Sequence, residues 1–168
     1  MKRLVMVAMA AVLVFGLAGC GSKGQSGKMG AHASGVGGAD GFDGVDTWGR
    51  SEEELFSTRT YHFGFDRYDV ADRDIPAINA QARYLASHPD SKIRIEGHTD
   101  ERGSREYNVA LGERRANAVR AILASKGIND SQMATVSYGA EKPADMGHSE
   151  AAYAENRRAV IVYEAGGQ

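Results

Sequence analysis

One arginine of the sequence stands where an apolar side chain is expected. On a helical wheel that advances about 100° per residue, five apolar residues fall within one arc of about 140°, and Arg115 lies near the middle of that arc; the five are Leu111, Ala118, Val119, Ile122 and Leu123. A buried guanidinium keeps its proton and needs a carboxylate or several hydrogen-bond acceptors. Asp100 is the nearest candidate, because the first turn of such a helix is only about 15 Å from position 115.

Two interpretations of Arg115 are open at this point. The residue can have a structural role, in which buried acceptors bind it and hold the helix to the rest of the domain. Alternatively, Arg115 and Asp100 flank an opening and bind a ligand that carries both charges. A guanidinium binds a carboxylate through two parallel hydrogen bonds, and a nearby aspartate can hold an ammonium. A zwitterionic amino-acid group would fit such a site.

A third interpretation is a metal-dependent hydrolase. His98 and Asp100 are two residues apart on a predicted strand, so their side chains should share one face, and Glu101 is adjacent. One further residue would complete a metal site; the candidates are His62, His148 and Asp66. The spacing His-x-Asp is weak evidence, however, and the sequence contains no His-Glu-x-x-His motif. We therefore expect no catalytic site, no metal site and no cofactor.

The elements that must position these residues alternate between strand and helix. Residues 92–99 alternate between apolar and polar side chains and are predicted to form a strand. A long helix is predicted over 104–126, and Gly127 should end it as a C-terminal cap. Two further strands are predicted at 135–138 and 160–163.

The residues before this region predict the same alternation. A capping box at 51–54 indicates a short helix, and alternating aromatic residues at 61–65 indicate a strand. Asp72 or Asp74 can cap a second helix, which should end before Pro89. Strands that alternate with amphipathic helices predict an α+β fold with helices packed on one face of a small mixed sheet.

The first nineteen residues have the layout of a secretory signal peptide. Two basic residues precede an apolar run at 4–17, which is shorter than the roughly 20 residues that a membrane-spanning helix needs. Small residues follow at Ala18 and Gly19. We therefore predict residues 1–19 to be a signal peptide that is removed after export.

Cys20 is the only cysteine of the sequence. The stretch Leu17-Ala18-Gly19-Cys20 resembles the lipobox of bacterial lipoproteins, in which the signal is cut before the cysteine and the cysteine is then acylated. Two or three acyl chains anchor a protein stably, whereas a single chain is marginal. Gly21 follows the cysteine, and by resemblance to lipoprotein sorting in Gram-negative bacteria this residue favours the outer membrane.

Residues 20–50 consist of the cysteine and a following segment that is rich in Gly, Ser and Ala. About 30 such residues form a flexible coil with a root-mean-square span of about 30 Å, so we predict a tether for a domain at 51–168. The net charge of −2 becomes −4 when the two cations of the signal are removed, because the signal contains no acids. A mildly acidic chain without a polybasic stretch argues against nucleic acid as a partner.

Several motifs of the region 60–163 resemble one protein family. The segments GHTDERG at 97–103, YN at 107–108 and LGERRANAV at 111–119 are similar to the peptidoglycan-binding signature of the outer membrane protein A (OmpA) C-terminal domain. Matching segments elsewhere are FGFD at 63–66, VSYG at 136–139, EKP at 141–143 and ENRRAV at 155–160. The branch that the sequence resembles most is that of the peptidoglycan-associated lipoproteins.

The resemblance implies a βαβαββ fold that binds the peptide stem of peptidoglycan without cutting it and links the outer membrane to the cell wall. Asp100 and Arg115 fall on the positions that bind the charged end of diaminopimelate. Five further residues fall on supporting positions; they are Asp66, Thr99, Asn108, Leu111 and Arg158. Gly112 stands where the broader family has serine. The branch also implies partners among the Tol proteins, chiefly their periplasmic propeller protein, and a role in cell division and envelope integrity.

Overall fold

The computed structural model describes residues 45–164. The predicted signal peptide, Cys20 and most of the predicted tether lie outside the described residues. The strands are β1 (Thr60–His62), β2 (Ile93–His98), β3 (Met133–Gly139) and β4 (Arg158–Tyr163). The α-helices are α1 (Glu52–Ser57), α2 (Ile75–Ser87), α3 (Arg105–Ser125) and α4 (Glu150–Asn156), and short 3-10 turns are formed by Asp72–Asp74 and Asp130–Gln132.

The four strands form one mixed sheet in the order β1-β4-β2-β3. Strand β4 runs antiparallel to both β1 and β2, whereas β2 and β3 are parallel. Parallel neighbours need a crossover connection, and α3 provides it. The structure thus confirms the predicted α+β fold with a mixed sheet. It adds α4 between β3 and β4, a short helix that the sequence pattern did not predict.

The core lies between one face of the sheet and the long helices. In β2, Ile93 and Ile95 are buried, whereas Arg94 and Glu96 are only partly covered, as the alternation of side chains along a strand requires. Helix α3 packs on β2, β3 and β4, and α2 packs against α3. The apolar side chains of this core are predominantly aliphatic.

The long helix has the boundaries that the sequence predicts. Ser104 is the N-cap, and its hydroxyl accepts a hydrogen bond from the backbone N–H of Tyr107 at 3.2 Å. Gly127 follows the end of the helix with a φ of +84°, the left-handed conformation that ends many helices. Although α3 has 21 residues, no helix within residues 45–164 is both long and apolar enough to cross a membrane.

The first helix is also confirmed. Ser51 and Glu54 form the predicted capping box, in which each side chain accepts a hydrogen bond from the backbone N–H of the other residue. The preceding residues form a turn that is closed by Asp46 and Arg50, whose side chains are joined by an ion pair of 2.7 Å. The Arg50 side chain also donates to the carbonyl of Arg73, so this turn contacts the domain.

Two local predictions were wrong. The predicted strand at 61–65 ends at His62, and Phe65 is 60% exposed, because the chain turns away after Phe63 and Asp66 takes a left-handed φ of +55°. The start of α2 is not capped by a side chain, since Asp74 makes no capping hydrogen bond and a 3-10 turn leads into the helix instead.

A contact between two glycines sets the distance between α3 and the sheet. A Cβ atom on Gly97 of β2 would overlap the backbone carbonyl of Gly112 in α3. A Cβ atom on Gly112 would press against the Ser137 hydroxyl and the Gly97 carbonyl. The two backbones therefore touch directly, and this contact lets the first half of α3 lie on the end of β2.

We predict that Gly97→Ala lowers the free energy of unfolding by about 3 kcal/mol or more, the upper range for overpacking. Its matched control is Gly127→Ala, which has a positive φ but no atom within 4 Å of the added Cβ, and which should cost about 1 kcal/mol through backbone strain alone. Urea unfolding of both variants measures the difference. Equal losses would show that the contact between Gly97 and Gly112 is not a packing constraint.

Candidate ligand-binding site

A cavity of about 160 Å³ opens where the end of β2 meets the first half of α3. Its wall combines three arginines, two aspartates, two aromatic side chains and smaller polar and apolar groups. The lining residues are Phe65, Asp66, Thr99, Asp100, Arg102, Gly103, Tyr107, Asn108, Leu111, Arg115 and Arg157. We call this space the first cavity.

Arg115 forms the inner wall of the first cavity and is 0% exposed. Its Nε donates to the carbonyl of Arg67 at 2.9 Å, one terminal nitrogen donates to that of His98 at 2.7 Å, and the other donates to that of Gly64 at 3.2 Å. The guanidinium also lies 5.3 Å from the centre of the Phe63 ring. A guanidinium has five N–H groups, so two remain, one on each terminal nitrogen.

Arg115 forms no ion pair with a carboxylate among the described residues, so the direct contact with Asp100 that its position suggested is not formed. Burial is the main cause that lowers the pKa of Arg115, to about 10, while the nearby Asp100 acts in the opposite direction. The group therefore stays charged at neutral pH. It is fixed by neutral carbonyls and keeps its positive charge available to a ligand.

Asp100 is held by two other arginines. One carboxylate oxygen accepts a hydrogen bond from the backbone N–H of Arg102 at 3.1 Å, and the other accepts from the Arg102 guanidinium at 2.6 Å and from Arg157 at 3.3 Å. Burial by itself raises the pKa of Asp100, but the hydrogen bonds from Arg102 and then from Arg157 more than offset it, so that the pKa lies below its usual value. The carboxylate is therefore ionised at neutral pH.

Six of the seven predicted ligand-binding residues line the first cavity. They are Asp66, Thr99, Asp100, Asn108, Leu111 and Arg115. Thr99 is 2% exposed, and its hydroxyl has no hydrogen-bond partner among residues 45–164. Asp66 accepts a hydrogen bond from the Tyr107 hydroxyl, which places this aromatic ring at the cavity mouth.

The structure does not bring Arg158 to the first cavity. This residue begins β4, and its guanidinium donates to the carbonyls of Lys142 and Asn156. Arg157, which lies between the end of α4 and the start of β4, instead reaches the cavity, where it donates to Asp100 and to the carbonyl of Phe63. The sequence offered two adjacent arginines, and the path of the chain from α4 into β4 decides between them.

Besides Arg157, four lining residues were missed by the sequence analysis: Phe65, Arg102, Gly103 and Tyr107. The guanidinium of Arg102 lies between two rings, 4.3 Å from the centre of Phe65 and 4.5 Å from that of Tyr153. All four residues lie in the segments FGFD, GHTDERG and YN that resemble the family signature. Their contacts with one another could not be predicted, because they join parts of the chain that are distant in sequence.

The charges of the first cavity favour a ligand with a carboxylate. Three arginines and two aspartates leave one net positive charge in the wall. A carboxylate near Arg115 would take up the two remaining N–H groups in the bidentate manner that suits a guanidinium. An ammonium near Asp100 would find an ionised acceptor, and Leu111 offers apolar contact between the two.

The residues of the hydrolase interpretation do not converge. His98 ends β2 with its ring against that of Tyr138, at 5.5 Å between centroids, and it does not line the first cavity with Asp100. His62 pairs with Glu155 and His148 with Glu101. Within residues 45–164, no group of three or more His, Cys, Asp or Glu side chains is close enough to hold a metal ion.

His98 makes a pH-dependent contribution to stability. It is 2% exposed, and neither ring nitrogen has a hydrogen-bond partner among the described residues. Burial, followed by the charge of Arg158, lowers its pKa from 6.5 to about 4. The unfolded chain therefore binds this proton more readily than the folded protein does. Stability is fully present above about pH 6.5 and is lost as the pH falls towards 4.

We predict that the wild-type protein loses about 3 kcal/mol of stability through His98 between about pH 7 and pH 4. His98→Leu should lack this part of the loss, because leucine fills a similar space and binds no proton. Urea unfolding of both proteins across this pH range measures the difference. Aspartates and glutamates distant from His98 cancel in the comparison, whereas Glu96, whose carboxylate lies 3.7 Å from His98 Nε2, remains part of the measured effect. Identical pH profiles would contradict a role for His98.

Comparison with known proteins agrees with this fold. Residues 62–157 match the model of the OmpA family. The peptidoglycan-associated lipoprotein of Haemophilus influenzae is 54% identical over 104 residues, which are 62% of this chain and 68% of that protein. The peptidoglycan-associated lipoprotein of Pasteurella multocida is 42% identical over 164 residues, which are 97% of this chain and all of that protein (100%).

A solved structure supports the same assignment. The crystal structure of the peptidoglycan-associated lipoprotein from Burkholderia pseudomallei superposes with a TM-score of 0.65 at 49% identity, over 66% of this chain and 94% of that one. The family match at 62–157 spans all the residues that line the first cavity. The chain therefore belongs to the OmpA family and, within it, to the peptidoglycan-associated lipoproteins.

Proposed function

We propose that the first cavity binds the zwitterionic end of meso-diaminopimelate in the peptide stem of peptidoglycan, and that the chain thereby links the outer membrane to the cell wall. The observation that carries this proposal is the geometry of Arg115. Its guanidinium is fully buried and fixed by three backbone carbonyls, yet it lines a cavity beside Asp100 with two N–H groups left over.

Diaminopimelate carries an ammonium and a carboxylate on the carbon at the end of its side chain. The carboxylate would bind the remaining N–H groups of Arg115, and the ammonium would bind Asp100. The unpartnered hydroxyl of Thr99 and the buried amide of Asn108 offer further hydrogen bonds. Leu111 would contact the methylene chain. A lysine in the same stem position has the ammonium without the carboxylate, so it would leave Arg115 without a partner.

We infer binding without cleavage of the wall. The described lining of the first cavity contains no serine, cysteine or histidine, the side chains that most often serve as nucleophile or general base in hydrolases. Asp100 is hydrogen bonded to two arginines, which keep it ionised and suit it to bind a cation. The family names of the relatives likewise describe association with peptidoglycan, with no reference to catalysis.

The proposal includes a second attachment point at Cys20. Acyl chains on this cysteine would hold the protein in the outer membrane with its domain in the periplasm, while the first cavity binds the wall. A short flexible tether raises the effective concentration of the second partner into the millimolar range. Attachment at both ends can thus be durable even if each contact alone is weak and reversible.

We further propose that the Tol proteins, chiefly their periplasmic propeller protein, are partners of the same domain, and that the chain acts with them in cell division and envelope integrity. An arrangement of exposed apolar side chains supports a protein contact near the cavity. Phe65 and Tyr107 line this cavity and are 60% and 42% exposed. A rim of this kind is a common feature of protein-binding surfaces.

The wall-binding proposal predicts a difference between two stem peptides. Calorimetric titration of the mature chain in detergent should detect binding of a muropeptide with meso-diaminopimelate and much weaker binding of its lysine counterpart. Arg115→Ala should reduce the affinity for the meso-diaminopimelate form at least about 30-fold, equivalent to about 2 kcal/mol or more, because the ligand carboxylate loses the two parallel hydrogen bonds from the guanidinium.

Arg114→Ala is the matched control, since this neighbouring arginine is exposed and does not line the first cavity. Arg115→Lys serves as a second variant if the alanine variant fails to fold, because lysine keeps the charge and loses the planar fork. Circular dichroism confirms folding of each variant. Equal affinity for both muropeptides would refute recognition of the carboxylate and return Arg115 to a structural role.

The proposed lipid anchor predicts that Cys20→Ser, expressed in a Gram-negative host, releases the protein from the membrane fraction. A hydroxyl cannot replace the thiol that carries the acyl chain, and the domain has no other anchor in this proposal. Fractionation and mass spectrometry of the N-terminal peptide measure the result. An unmodified wild-type cysteine, or a Cys20→Ser protein that stays in the membrane fraction, would contradict the anchor.

A further inference from the structure

A second cavity, of about 110 Å³, lies next to the first one. It is enclosed by the turn after β2, the loop between β3 and α4, and α4 itself. The lining residues are Thr99, Glu101, Ala140, Pro143, Asp145, Met146, Gly147, His148, Tyr153 and Asn156. Thr99 is the residue that this cavity shares with the first one.

Hydrogen bonds of one buried side chain fix the shape of the second cavity. The side-chain oxygen of Asn156 accepts from the backbone N–H groups of Ala144 and Asp145 at 2.7 and 3.0 Å, and its nitrogen donates to the Asp145 carbonyl at 2.7 Å. Asn156 is itself buried. A side chain of α4 therefore fixes the loop between β3 and α4, so the shape of the second cavity is defined by hydrogen bonds within the domain.

Glu101 is the polar centre of the second cavity. One of its carboxylate oxygens accepts hydrogen bonds from His148 Nδ1 and from the Tyr153 hydroxyl, both at 2.7 Å. The two contacts hold the carboxylate in one orientation, and its other oxygen accepts no hydrogen bond from residues 45–164. A ligand N–H group could bind there through a charge-assisted hydrogen bond.

Thr99 connects the two cavities, because it lines both of them. The residue is 2% exposed, and its hydroxyl has no hydrogen-bond partner among residues 45–164, so it is available to a ligand in either cavity. A buried hydroxyl without a partner costs free energy. A ligand that extends from the first cavity into the second would pass this hydroxyl and satisfy it.

The charges of the second cavity define the kind of group that fits. Glu101 and Asp145 contribute two carboxylates, and the described lining contains no lysine or arginine, so an anionic group is disfavoured. The volume equals that of about three or four water molecules, which is the size of a single small amide group. Ala140, Pro143 and Met146 supply apolar contacts for a methyl group.

From these features we propose that the second cavity is a subsite for a small neutral amide that bears a methyl group and is attached to the ligand of the first cavity. This inference rests on the proposed binding of diaminopimelate. Two parts of peptidoglycan contain such a group. One is the alanyl residue that follows diaminopimelate when its carboxyl group is in amide linkage, and the other is the N-acetyl group of the glycan.

The test is a calorimetric comparison of four ligands on the mature chain in detergent. The reference is the tripeptide L-Ala-γ-D-Glu-meso-diaminopimelate with its stem carboxyl group amidated. The second ligand adds D-alanine amide, the third adds D-alanine as a free acid, and the fourth attaches N-acetylmuramic acid to the reference. We expect the alanine amide to bind about tenfold more tightly than the reference, as for one hydrogen bond to a charged group, and more tightly than the free acid.

Glu101→Gln should reduce this gain to less than about twofold and leave the affinity for the reference unchanged. Glu155→Gln is the matched control, because Glu155 is an exposed carboxylate that contacts His62 and lines neither cavity. A gain from the N-acetyl sugar that Glu101→Gln abolishes would support the subsite with the glycan as its source.

The outcomes separate this inference from the proposed function. If the reference tripeptide binds but neither extension improves the affinity, or if the gain survives Glu101→Gln, the subsite is refuted and the proposed function stands. If no ligand that contains meso-diaminopimelate binds, the proposed function fails and the subsite fails with it. Thermal unfolding of both variants verifies that the substitutions leave the fold intact.

Discussion

A guanidinium in a protein interior loses its hydration, which costs several kcal/mol unless hydrogen bonds replace the lost water. Arg115 meets this requirement with three backbone carbonyls: those of Gly64 and Arg67 lie in the loop after β1, and that of His98 ends β2. One side chain of α3 thus joins a loop, a strand and a helix. Carbonyls stabilise the charge without neutralising it, so the first cavity retains a positive group and suits a carboxylate.

The position of Arg115 depends in turn on how closely α3 approaches the sheet. Gly97 and Gly112 touch through their backbones, and one helical turn later Arg115 reaches the carbonyl at the end of β2. The same end of β2 leads into the turn that carries Asp100. Charges that are fifteen residues apart in sequence therefore line one cavity, and neither neutralises the other by direct contact.

Asp100 is a buried charge of the opposite sign, and it is also stabilised by hydrogen bonds from the protein. Its carboxylate is hydrogen bonded by Arg102 and Arg157, which keep it ionised despite its burial. These arginines are themselves held elsewhere: Arg102 lies between the rings of Phe65 and Tyr153, and Arg157 donates to Glu150. The cavity thus has a fixed acceptor and a fixed donor before any ligand binds. Such preorganisation lowers the entropic cost of binding.

The sequence by itself determined the elements, their order and the exceptional status of Arg115, because these follow from local periodicity and capping. The capping box at Ser51, the N-cap Ser104 and the terminal Gly127 are all observed, as is the burial of Arg115. Only the tertiary structure decided which carbonyls satisfy this arginine and that Arg157, rather than Arg158, faces the first cavity. The physical reason is that these contacts depend on strand register and on the packing of residues up to 94 positions apart, whereas sequence patterns report only on neighbours along the chain.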